Sequence, residues 1–175
     1  MSTFEEMLTG GHPNSLGRTE EVVDIILKDK KKLEDLYQTY FSDDAVVRLR
    51  VSSSMKRICK THPDWLVPYV DKFISEISKI DQASTQWTFA QLMMDLDSRL
   101  TGEQRKNVIA ILKNNLQESD DWIVLNTTME ALAKQAKNNE NLKTWLLPQL
   151  RNLAKDKRNS VNKRANKFLA GLVSK

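Results

Sequence analysis

Cysteine is nearly missing from this 175-residue chain, and histidine, proline and glycine are scarce. The single thiol, Cys59, excludes an intrachain disulfide. Two histidines, His12 and His62, cannot build a zinc-ligand spacing with it, so neither a metal nor a cofactor is expected. The five glycines form no phosphate-cradling loop. No Ser/His/Asp or Cys/His set suggests a nucleophile, and the chain reads as a non-enzyme. Long apolar runs are missing too. The longest aliphatic stretch runs from Val108 to Leu112, against the ~20 residues that span a bilayer. The opening MSTFEEML has neither a basic start nor an apolar core, so no signal peptide is expected there. With the lone cysteine, this points to a cytoplasmic protein with no membrane partner.

What is present is ordinary for a folded domain: 40% hydrophobic and 29% charged residues. Alternating β-branched runs are almost absent, which favours an all-α fold. Net charge is +4 but uneven. Residues 139–175 hold nine Lys/Arg against Glu140 and Asp156, a net +7, and the rest of the chain sums to −3.

One phrase is written twice. Trp65-Leu66-Val67-Pro68 returns 80 positions on as Trp145-Leu146-Leu147-Pro148, over a half-period near 40. Val47, Val51, Met55 and Ile58 form one helical stripe. Thr85, Phe89, Met93 and Leu96 repeat it, then Val124, Thr128 and Leu132, then Val161, Ala165, Leu169 and Leu172. Each is preceded by a second apolar helix: Leu33, Leu36 and Tyr40; Val70, Phe73 and Ile77; Ile109, Leu112 and Leu116; Leu150 and Leu153. Polar joints rich in capping residues separate them, SDD, KIDQ, ESDD and KDKRN. Four helix pairs over residues 19–175 are the simplest reading, entered by the helix start Thr19-Glu20-Glu21. Residues 1–18, with Gly10, Gly11, Pro13 and Gly17, read as a leader with a helical turn near Phe4–Leu8, either docked over the first pair or disordered. Pro68 falls near the start of its helix and is tolerated there. Pro148 lies deeper and is expected to bend or split its helix. Trp65 and Trp145 are expected to pack between neighbouring pairs.

The pattern resembles HEAT repeats, within the HEAT/armadillo class of α-solenoids. Asp43…Val47-Arg48-Leu49-Arg50-Val51 is similar to the family's second-helix opening, Asp then V-R-x-x-A. Asp156…Val161-Asn162-Lys163-Arg164-Ala165 keeps the Asp, Val and Ala, whereas Gln86 and Leu125 replace the Arg in the middle pairs. The stretch GGHPNSLGRTEEVV resembles one in uncharacterised bacterial HEAT-like proteins. The resemblance implies a right-handed α-α superhelix of about four pairs serving as a binding scaffold, with the second helices lining a concave face.

At ~100° per residue, the side of each second helix away from its stripe can be assigned. It carries Leu49, Lys56 and Lys60 in the first pair, and Trp87, Gln91 and Met94 in the second. Glu130 and Lys137 follow in the third, then Lys163, Lys167 and Ser174 in the fourth, beside Arg164. The expectation is a positive face with an apolar spot at Trp87 and Met94, binding a protein or peptide partner of acidic character. The alternative is nucleic-acid binding by the basic last pair, where Arg151, Lys155, Lys157, Arg158, Lys163, Arg164 and Lys167 gather. HEAT-like DNA glycosylases pair concave aromatics with a catalytic Asp, but Asp95 and Asp97 lie roughly 80° to either side of Trp87 on the helix.

Overall fold

The computed structural model describes residues 3–173. It is all-helical, with no strand among the described residues. The chain divides into two compact units, residues 1–100 and 101–175.

The first unit holds α1 (Thr3–Leu8), α2 (Thr19–Lys28), α3 (Leu33–Gln38), α4 (Ala45–Thr61), α5 (Val70–Ser75) and α6 (Ala83–Asp95). The α3/α4 and α5/α6 pairs are the first two repeats. Their second helices, α4 and α6, pack side by side, and α2 packs on α4. The expected stripes are buried: Val47, Val51, Met55 and Ile58 on α4, and Thr85, Phe89 and Met93 on α6 with Leu96 just beyond it. Fully burying an aliphatic side chain contributes about 1.5–3 kcal/mol, so these stripes dominate the packing energy. Asp44 caps α4 by accepting from the Val46 N–H, which answers one of the orphan donors of the first turn.

The leader is docked. Phe4, Met7 and Leu8 of α1 are buried, and α1 packs on α2 and α4. The chain then crosses Gly10, Gly11 and Gly17, all at positive φ, before α2 begins at Thr19.

The second unit holds α7 (Gly102–Glu118), α8 (Trp122–Ala136), α9 (Glu140–Leu153) and α10 (Asn159–Val173). Consecutive helices pack on one another, and α8 also packs on α10. Each start has its own chemistry. Thr101 and Gln104 form a reciprocal capping box on α7. Asp121 accepts from the Ile123 and Val124 N–H groups of α8, and Asn139 accepts from the Leu142 N–H of α9.

Pro68 stands at the entry to its helix, as its sequence position implies, whereas Pro148 does not split its own. The helix around Pro68 is broken into short 3-10 turns, Pro63–Trp65 and Val67–Tyr69, before α5. The α9 helix runs unbroken from Glu140 to Leu153 with Pro148 inside. The difference is a second proline. Pro63 and Pro68, five residues apart, each lack the N–H that an α-helical ladder needs, and the i→i+3 bonds of a 3-10 turn replace it. Pro148 removes one bond from a helix held by the buried Leu142, Leu146 and Leu150.

The repeated tryptophans are half-buried, and both carry a lysine over the ring. Lys30 Nζ lies 5.6 Å from the Trp65 centroid, and His62 stacks on the same residue at 4.2 Å. In the second unit Lys113 Nζ lies 4.6 Å from the Trp145 centroid. The repeated phrase thus sets an aromatic wall under a cation from the preceding pair.

Candidate functional site

In the first unit α4 and α6 enclose an open depression of about 920 Å³. Ser53, Lys56, Arg57 and Lys60 of α4 form one side, and Gln91 and Asp95 of α6 form the other. The wall exists because α4 turns its stripe inward and leaves Lys56 and Lys60, four residues apart, on the opposite side. The Gln91 amide donates to Asp95 at 3.1 Å, and Arg57 lies 3.5 Å from Glu20. Neither Lys56 nor Lys60 makes an ion pair among the described residues. Lys56 is half-buried, and burial first, then the neighbouring Arg57, lowers its ammonium below the usual lysine range.

Cys59 also borders this depression but is almost fully buried. Burial, and secondarily the Asp95 charge, push its thiol up to about 12. It packs as a small apolar group, as its place beside the α4 stripe implies.

A second, smaller cavity of about 200 Å³ lies beside the first. Leader residues Pro13 to Leu16 form one wall, and Leu49, Arg50, Ser53, Lys56, Trp87 and Thr88 form the rest. Leu49 and Trp87, expected to be an open apolar spot, are half-buried and share this cavity with the leader. Met94 requires a correction. It was assigned to the open face but is buried, because α6 buries eight of its thirteen residues and has no wholly open side.

Arg50 is the residue that sequence reasoning missed. It is 1% exposed, yet no carboxylate meets it. Its Nη1 donates to the Leu8 and Gly10 carbonyls at 2.6 Å, its Nε to Ser15 and its Nη2 to His12. One guanidinium therefore gathers four leader carbonyls onto α4. The signal was its spacing, three residues after Val47 and at the edge of the stripe, where an arginine is out of place unless it is fully bonded.

In the second unit Lys163, Arg164 and Lys167 are all exposed on α10. Arg164 pairs with Glu130 of α8 at 2.9 Å. Glu130, Lys134, Lys137, Lys167 and Phe168 border a depression of about 360 Å³. Ser174 lies outside the described residues. Arg158, counted above with the basic cluster, is engaged at its joint, donating to Asp156 and to the Asp120 carbonyl.

Among the described residues no group of His, Cys, Asp or Glu could hold a metal ion, and no helix is long and apolar enough to cross a membrane. The chain matches no family model and no curated protein.

Proposed function

We propose that this chain is a non-catalytic interaction module of the HEAT-repeat kind, working in the cytoplasm, whose first unit receives an acidic peptide segment. The observation that carries this reading is the α4/α6 depression, where Lys56, Arg57 and Lys60 face a single acid, Asp95. Lys56 is partly stripped of water and has no counter-ion. A carboxylate arriving there regains the electrostatic energy that burial has cost the ammonium, and binding raises the lysine's affinity for its proton. The 920 Å³ volume is wide enough for a chain segment, and Pro63 and Cys59 give it an apolar edge. Cys59 at this edge is held as the thiol and packs as a small apolar group.

The test is fluorescence anisotropy of a labelled glutamate/leucine peptide on the full chain at low and moderate salt. Affinity is expected to fall with salt and to weaken about tenfold, roughly 1.4 kcal/mol, in Lys60→Glu. Unchanged affinity in that variant overturns the reading.

A second reading, nucleic-acid binding, is favoured by one observation in the second unit. Lys134, Lys137, Lys163 and Lys167 are exposed there, while the only acid at the α8/α10 depression, Glu130, is neutralised by Arg164.

A further inference from the structure

The 200 Å³ cavity between the leader and α4/α6 is distinct in chemistry from the larger depression. No acidic side chain borders it, whereas Arg50 and Lys56 both do. The Arg50 charge is answered by neutral carbonyls only, and these take four of the five N–H donors that a guanidinium carries. Dipoles from carbonyls stabilise a buried cation less fully than an anion does, so the cavity keeps a positive potential. Lys56 adds a second charge with no ion pair among the described residues. On the α6 side the Thr88 hydroxyl is buried, 1% exposed, and has no hydrogen-bond partner. A buried hydroxyl without a partner is unfavourable, and a bound acceptor would supply one. Half-buried Trp87 and Leu49 complete the wall with apolar surface.

We infer that this cavity is a binding site for a small free oxyanion, a phosphate or carboxylate carried on a short stem. Lys56 supplies the charge, Thr88 a hydroxyl donor, and Trp87 a flat wall for the stem. The volume corresponds to about seven waters at ~30 Å³ each, which admits a small metabolite and not a polypeptide. Arg50 contributes potential while its hydrogen bonds keep the leader wall in place. The site is separate from the peptide groove proposed above, although Ser53 and Lys56 stand on the boundary between the two.

The experiment is the thermal midpoint of the full chain titrated with inorganic phosphate, and separately with succinate, against sodium chloride at matched ionic strength. A ligand bound only by the folded state raises the midpoint with the logarithm of its concentration. The midpoint is expected to climb with phosphate, succinate or both, and to stay flat with chloride. The ion that acts identifies the headgroup. In Thr88→Val, nearly isosteric, and in Lys56→Gln, half-saturation is expected to need about tenfold more ligand, with unchanged far-ultraviolet circular dichroism. Lys60→Glu is expected to keep the anion response while weakening the peptide about tenfold, so the two proposals stand or fall apart. A chloride response equal to the others, or half-saturation unmoved in both cavity variants, overturns the inference.

Discussion

Arg50 shows how much one side chain can organise. Burying a guanidinium is costly unless its donors are met, and here the leader meets them with its backbone carbonyls. The loop around it must therefore be tight. A Cβ on Gly17 would sit 2.9 Å from Arg50 Cζ, with φ at +54°, whereas one on Gly10, at φ +77°, would meet nothing within 4 Å. Both Gly→Ala changes pay the left-handed backbone cost of about 1–2 kcal/mol, but only Gly17→Ala adds a collision with a guanidinium held by four hydrogen bonds. Urea denaturation is expected to rank Gly17→Ala as clearly more destabilising than Gly10→Ala. Equal losses would mean that the guanidinium yields easily. None of this was visible in the sequence, where glycines and a proline in a polar stretch fit a docked or a disordered leader equally well. What decides between them is Arg50, thirty-odd residues away.

At the scale of helices and joints the sequence was most legible. The apolar stripes of α4, α6, α8 and α10 are buried as their spacing predicts, except that Leu169 and Gln135, the weak last place of the α8 stripe, are left half-exposed. Joints were also read correctly where a short acid could reach back to the first turn, as at Asp44 and Asp121. Gln82 precedes α6 without such a bond and works differently: it accepts from Arg48 and donates to the Ala45 carbonyl, tying its joint to the start of α4. At the last joint, Asp156 accepts from Arg158 side-chain and backbone donors, which lower its carboxyl from 3.8 to about 2. A depressed folded-state pKa stabilises above the unfolded value and is lost as pH falls through the folded one. The stability difference between wild type and Asp156→Asn is thus expected to be full above about pH 5, to shrink as pH falls through the folded value, and to be gone near about pH 1. A difference that does not shrink between about pH 5 and pH 2 in an acid-denaturation series would show that the charge is not the source. Of the two prolines, Pro68 stands at the entry to its helix as expected, whereas Pro148 leaves α9 unsplit, in a helix held by the buried Leu142, Leu146 and Leu150.

Across the whole molecule, the period near 38 residues runs through all four pairs without a break, so it could not reveal that residues 1–100 and 101–175 form separate compact units. Charge is the property that does differ along the chain, with +7 confined to residues 139–175. This asymmetry separates the two functional readings. If the acidic peptide binds in the α4/α6 depression, which no residue of the second unit borders, converting Lys157, Lys163 and Lys167 together to Gln is expected to change its affinity by less than about twofold. A tenfold loss in the same anisotropy assay would move binding to the basic end. Of the residues expected on the open face, Lys60, Lys163, Arg164 and Lys167 are exposed, Leu49, Lys56, Trp87 and Gln91 are half-buried, and Met94 is buried. Spacing alone locates a stripe's opposite side, and cannot show when a helix such as α6 is covered on several sides at once.

Cys59 carries a last implication. Burial puts its sulfur almost out of reach and pushes its thiol up to about 12, so at neutral pH it stays protonated. Peroxide and alkylating electrophiles attack the thiolate, so this sulfhydryl reacts slowly in the folded chain and faster once the chain is unfolded.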